Sequence, residues 1–294
     1  MENSCALSVE ALVKKFDTKR VLDGVSFCVE KGELFGLLGP NGAGKTTMIR
    51  IILDILNPDA GRFELFGAAF NESMKERIGY LPEEGGLYRK TSVYGCVRYF
   101  ADLKGRSVSD AEIDSWLKRM NLFEYRERNV GELSKGLHRK LQFIIAVIHK
   151  PDLLIIDEPF YGLDPVNKMQ IEGLIKELKN CGMTIIMSTH QMDEVEKMCD
   201  RILLINKGKT VLYGSLQEVK SRYGYSIMVE FEGKLPALSG VSRVNDHGNQ
   251  AELLLEKDAD TQEILKKLAS SVRITRFEVK TRSLNEIFIE EVGN

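Results

Sequence analysis

Gly39-Pro40-Asn41-Gly42-Ala43-Gly44-Lys45-Thr46-Thr47 is the stretch that decides the fold. Its glycines let main-chain amides approach phosphate closely, and a helix opening at Lys45 directs its free N–H groups at an anion. With this spacing Lys45 reaches the β- and γ-phosphates of a nucleoside triphosphate, and the Thr46 hydroxyl takes a place on Mg²⁺. A phosphate loop of this kind needs a buried strand ahead of it. Leu34, Phe35, Leu37 and Leu38 supply that strand.

Downstream, Leu153-Leu154-Ile155-Ile156 reads as a continuous buried strand, with Asp157 and Glu158 at its end. Ligands of α/β sheets gather at strand ends, so Asp157 is expected to hold Mg²⁺ through water. Glu158 is then placed to polarise a water in line with the γ-phosphate. Two acids before Pro159 can also merely start a turn. The upstream phosphate loop favours the chemical reading.

The composition fits a layered protein of this class. At 294 residues, 43% hydrophobic and 29% charged, the chain can bury one large core and a smaller appendage. A formal charge of −2 gives no electrostatic case for wrapping nucleic acid. No apolar run approaches a bilayer span, and the opening residues, with Glu2 and Glu10 and no basic segment, do not make a signal peptide; a cytoplasmic location is expected. Cys5, Cys28, Cys96, Cys181 and Cys199 are odd in number and lack paired spacing, so buried free thiols are expected rather than disulfides or a zinc site.

From about Leu7 to Tyr223 short apolar strands alternate with amphipathic helices, the pattern of a largely parallel central sheet. Thr184 to Met187 reads as another buried strand. Between about Ser92 and Asn129 the signal is helical, with Ser109 and Glu112 as a capping box ahead of Ile113, Trp116, Leu117 and Met120. After Tyr223-Gly224 the character changes. Ile227, Val229 and Phe231 alternate, Leu253 to Leu255 and Phe277 with Val279 suggest strands, Ile264, Leu265 and Leu268 mark a helix face, and Ser283 with Glu286 caps a last helix. Residues 224–294 are therefore expected to form a small α+β unit without catalytic machinery.

With these residues in place, the chain resembles the ATP-binding subunits of ABC transporters over nearly its whole length. Leu133-Ser134-Lys135-Gly136-Leu137 stands where that family carries its Leu-Ser-Gly-Gly-Gln type signature. Gly162-Leu163-Asp164-Pro165 looks like the loop after the second carboxylate motif, Ser188-Thr189-His190 like the switch histidine, and Phe16 like the aromatic that stacks on adenine. The resemblance implies an α/β P-loop ATPase domain over residues 1–223, with a helical insertion at about 92–149, and an accessory domain over 224–294. It also implies that Ser134 and Gly136 contact the γ-phosphate of ATP held by a second subunit, and that His190 orients Glu158. Lys135 and Leu137 depart from the signature. Ile78-Gly79-Tyr80-Leu81-Pro82-Glu83 ends in a carboxylate where many members have a Mg²⁺-touching glutamine, and Glu83 is expected to serve in its place.

The implied activity is ATP hydrolysis that powers transport, most simply export, with ATP and Mg²⁺ as cofactors. Its partners would be a separately encoded membrane permease and a second ATP-binding subunit, identical or closely related, at the cytoplasmic face of the membrane. Val93, Tyr94, Val97, Tyr99 and Phe100 are the expected permease-docking surface. A soluble ABC-type ATPase acting on ribosomes or nucleic acid usually carries two cassettes or long coiled-coil insertions, and this chain has neither. A non-hydrolysing ATP sensor has no need of Glu158.

Overall fold

The computed structural model describes residues 5–83, 85–256 and 259–293, so the leader reading at Glu2 lies outside the described residues. The chain divides into two compact units, Met1–Tyr213 and Gly214–Asn294.

In the first unit, the strands β1 (Cys5–Phe16), β2 (Lys19–Glu30), β4 (Ala60–Leu65) and β5 (Ala68–Ala69) form an antiparallel sheet in the order β2-β1-β4-β5. A second, six-stranded sheet has the order β10-β9-β3-β8-β7-β6. Its strands are β3 (Leu34–Leu38), β6 (Ile78–Leu81), β7 (Leu153–Asp157), β8 (Thr184–Thr189), β9 (Arg201–Asn206) and β10 (Lys209–Ser215). The expected parallel pairing holds across β9-β3-β8-β7-β6. The antiparallel sheet is an addition, because β1 and β2 are interrupted by register shifts and by Ala11 at φ 47°, which break strict alternation. Leu7, Val9 and Leu12 of β1, Phe35 and Leu37 of β3, Leu153 and Ile155 of β7, and Met48, Ile49 and Ile52 of helix α1 (Lys45–Ile52) share one core.

Between β6 and β7 the chain forms α2 (Val93–Leu103), α3 (Asp110–Arg119) and α4 (Lys135–Val147). Ser109 caps α3 by accepting from the Glu112 amide, but only half of the expected capping box forms. The Glu112 carboxylate accepts from Arg106 instead, an ion pair that outcompetes the return bond to the cap. Helices α5 (Pro165–Asn180) and α6 (Met192–Met198) follow β7 and β8.

Two cysteine expectations fail. Cys5 and Cys28 form a disulfide, because antiparallel β1 and β2 bring their Cα atoms to 5.9 Å, and Cys181 is exposed. Only Cys96 and Cys199 are buried free thiols.

The second unit holds α7 (Leu216–Arg222), β11 (Tyr225–Glu232), β12 (Val241–Asp246), β13 (Gln250–Leu255), α8 (Thr261–Ser271), β14 (Arg273–Thr281) and α9 (Leu284–Val292). Its antiparallel sheet runs β12-β13-β11-β14. Ile227, Val229 and Phe231 face Ile264 and Leu268 in a separate core, and Ser283 and Glu286 complete the predicted capping box.

His149, between α4 and β7, gives a test of the burial in the first unit. Its Nε2 donates to the Ile78 carbonyl at 3.1 Å, while Nδ1 is buried without a hydrogen-bond partner. Burial, reinforced by Lys104 and Arg106, pulls its pKa down to about 4. The unfolded chain then binds a proton near pH 6.5 that the folded chain refuses, so stability is present above that pH and is lost as pH falls toward 4. The shift corresponds to on the order of 3 kcal/mol. In urea unfolding, the parent is expected to lose more stability than His149→Gln over this window. Contributions from the buried carboxyls cancel in that difference. Parallel pH curves for the two proteins would count against it.

Candidate nucleotide site

The register of the parallel strands builds the site. Leu38 stands beside Thr189, Asp157 beside Ser188, and Leu81 beside Ile156, so β3, β6, β7 and β8 all end at one sheet edge. The chain leaves β3 as the glycine loop, β7 at Asp157 and Glu158, β8 at His190, and β6 toward Glu83. Four segments distant in sequence thereby meet.

The loop conformation depends on its glycines. Gly39, Gly42 and Gly44 have φ of 151°, 78° and 113°. A Cβ on Gly39 would run into the Ile205 carbonyl oxygen, and one on Gly44 would come within 2.8 Å of Val21 O and Leu22 Cδ2. Lys45 Nζ donates to the carbonyls of Gly39 at 2.7 Å and Pro40 at 3.3 Å. Burial pulls the Lys45 pKa down, and the charges of Glu158, Asp157 and Glu83 oppose that pull. Asn41, Gly42, Gly44, Lys45, Thr46 and Thr47 line a cleft of about 440 Å³. Gly39 and Ala43 are buried behind it, and Pro40 is half-buried.

Phe16, Glu83, Asp157 and Glu158 line the same cleft, as do Lys19 and Val21, which the sequence reading missed. Phe16 ends β1, 44% exposed, with Lys14 Nζ 5.6 Å from its ring centroid. Asp157 is buried, and desolvation followed by the charges of Glu158 and Glu83 raises its pKa, against the Ser188 hydroxyl and Lys45. Glu158 sits at φ 47°, an uncommon conformation for a residue with a side chain. Its carboxylate is gripped from β8: His190 Nδ1 lies 2.7 Å from Oε1, and Thr189 Oγ1 donates to Oε2 at 3.3 Å. Deeper still, buried Glu194 pairs with Lys168 at 2.7 Å.

Ser134 and Gly136 do not line this cleft. Ser134 is the N-cap of α4, its hydroxyl accepting from the Leu137 amide at 3.4 Å. A Cβ on Gly136 would meet only Asn167 Nδ2 at 3.5 Å and Leu163 Cδ2 at 3.8 Å, ordinary contacts, so nothing within the chain requires glycine there. Lys135 Nζ lies 4.7 Å from the centroid of the Tyr161 ring. The expected docking residues need correction. Val93 and Val97 are fully buried on the inner face of α2, while exposed Tyr99 packs with Tyr88 and Phe100, ring centroids 5.3–6.3 Å apart.

Thr46, Glu83 and Asp157 offer the hydroxyl and carboxylate oxygens that Mg²⁺ prefers. No group of three or more His, Cys, Asp or Glu residues able to hold a metal exists among the described residues. That sparse set suits an ion that keeps waters and leans on phosphate oxygens.

The ABC transporter family profile matches residues 22–161, and that of the ATP-binding protein DrrA1-3-like C-terminal domain matches residues 214–292. An uncharacterized ABC transporter ATP-binding protein of Bacillus subtilis (strain 168), YhaQ, is 39% identical over 98% of each chain. The Nod factor export ATP-binding protein I of Burkholderia thailandensis is 35% identical over 79% of this chain and 78% of its own. A solved ATP-binding subunit of an ABC transporter superposes with TM-score 0.69 at 30% identity, over 74% of this chain and 93% of that one. The chain belongs to the ABC transporter ATP-binding proteins. No helix among the described residues is long and apolar enough to cross a membrane.

Proposed function

We propose that the protein is the ATP-hydrolysing subunit of an ABC exporter, closing as a dimer on ATP and reopening after hydrolysis. The observation that carries this reading is the common strand edge that brings the glycine loop, Asp157, Glu158 and His190 together. In it, the loop amides and Lys45 hold the triphosphate, Phe16 stacks on adenine, and Thr46, Asp157 and Glu83 serve Mg²⁺. The ion would neutralise charge on the phosphate oxygens. Glu158, fixed by His190 and Thr189, accepts the proton of the attacking water.

Ser134 and Gly136 complete the site of a second subunit. Two such sites make an isologous closed dimer, identical or closely related. Differential affinity of ATP for that closed state is what moves the permease, which supplies the membrane path and recruits this subunit to the cytoplasmic face. Export is the direction favoured by the similarity to the Nod factor export protein. Of the expected docking residues, Tyr94, Tyr99 and Phe100 keep some exposure and form the proposed permease-docking surface, to which the exposed Tyr88 adds its ring. The second unit steadies or regulates the dimer.

The test is ATP-dependent phosphate release by the purified chain, together with recovery of a permease by pull-down from solubilised membranes. Lys45→Ala should weaken ATP binding itself, since charge-assisted bonds to phosphate contribute about 1.5–3 kcal/mol, or roughly 10- to 100-fold. Equilibrium dialysis checks it. Unchanged affinity would remove Lys45 from the phosphate site.

A further inference from the structure

Arg139, on the second turn of α4, is buried and uses all five of its N–H donors on main-chain carbonyls. Nε donates to Pro159 at 3.4 Å, Nη1 to Pro82 and to Glu83 at 3.3 Å, and Nη2 to Asp157 at 2.8 Å and Glu158 at 2.7 Å. A buried charge is costly even when its donors are satisfied, and an apolar side chain can fill such a volume more cheaply. Burial indeed pulls the Arg139 pKa down to about 10, against the charges of Asp157, Glu83 and Glu158.

The segments it bridges explain its presence. One carries Glu83 and the other Glu158, and both carboxylates line the nucleotide cleft. Glu158 lies at φ 47° and is anchored at each end of its backbone: its amide donates to Ser188 O at 2.9 Å and its carbonyl accepts from Arg139. The direction of its carboxylate is thus set at the backbone by the guanidinium as well as at the side chain by His190 and Thr189. The same guanidinium is rooted in the helix that Ser134 caps.

We propose that Arg139 is a positioning residue that fixes Glu158 and Glu83 relative to each other and ties them to α4, so that docking of Ser134 and Gly136 on a partner's nucleotide sets the attacking-water geometry in this chain's own site. The inference rests on the hydrolytic reading above. Lysine cannot replace Arg139, since three tetrahedral donors do not match five in a plane.

The experiment compares full-length parent, Arg139→Lys and Arg139→Gln. It reads phosphate release, ATP binding by equilibrium dialysis, and ATP-driven dimerisation by light scattering in a Glu158→Gln background. Both variants should lose about 10²-fold in kcat, the effect of a misplacement of about 1 Å, with ATP affinity and dimerisation retained. In Arg139→Ala, millimolar guanidinium, but not ammonium, should restore part of the turnover. Turnover at parental level, loss of ATP binding in step with turnover, failure of both variants to fold, or absence of guanidinium rescue would each overturn the proposal. A parent that binds ATP without releasing phosphate defeats the hydrolytic reading and this inference with it. A fully active parent with equally active variants defeats this inference alone.

Discussion

Glu158→Gln protein is expected to bind ATP as tightly as the parent while releasing phosphate about 10²–10⁴-fold more slowly, the range over which a positioned base acts. Glutamine keeps the shape of the side chain and an oxygen that can still meet His190 Nδ1, now 2.7 Å from Glu158 Oε1, so the site should not collapse. What it loses is the capacity to take a proton. The cleft wall made by Lys45, Thr46 and Phe16 is untouched, which is why affinity should hold. Phosphate release and nucleotide binding, measured on one preparation, separate the two effects. Near-parental turnover would take the base role from Glu158.

In that slowed background, Gly136→Glu should abolish ATP-driven dimerisation outright while leaving the folded monomer and its own ATP binding intact. The space around Gly136 decides this: its nearest neighbour to an added Cβ is Asn167 Nδ2 at 3.5 Å, so a side chain fits within the chain. Any loss must then arise at a second molecule, by clash and by repulsion between carboxylate and triphosphate. Light scattering with ATP and Mg²⁺ reads the outcome. A persistent ATP-dependent dimer would place the interface elsewhere, and an unfolded monomer would contradict the free space at Gly136.

Much of the site is legible in the sequence because its chemistry is local: Gly39 to Thr47 is one loop, and Asp157 and Glu158 are adjacent. The strands behind them are runs of Leu and Ile that read as buried. Lys19 and Val21 escape notice because they reach the cleft through the β1–β2 hairpin, whose irregular register hides both strands from a period-2 reading. Arg139 is hidden differently. His138-Arg139-Lys140 is a run of polar and charged residues that gives no sign of burial, yet Arg139 is only 5% exposed, and tertiary structure alone supplies the carbonyls that make this tolerable. The Cys5–Cys28 bond likewise follows from strand pairing, across 23 residues with no motif to announce it.

The alignment of Leu38 with Thr189 and of Asp157 with Ser188 is held by main-chain hydrogen bonds, which are indifferent to side-chain identity. One aliphatic residue can therefore replace another at Leu154 or Ile185, at the modest expense of repacking, without displacing the groups at the rim. In the glycine loop no such freedom exists, since each of Gly39, Gly42 and Gly44 answers to a specific backbone angle or neighbour. A change of side chain is thus cheap inside this sheet and costly in the glycine loop, where the backbone itself gives the mouth its shape.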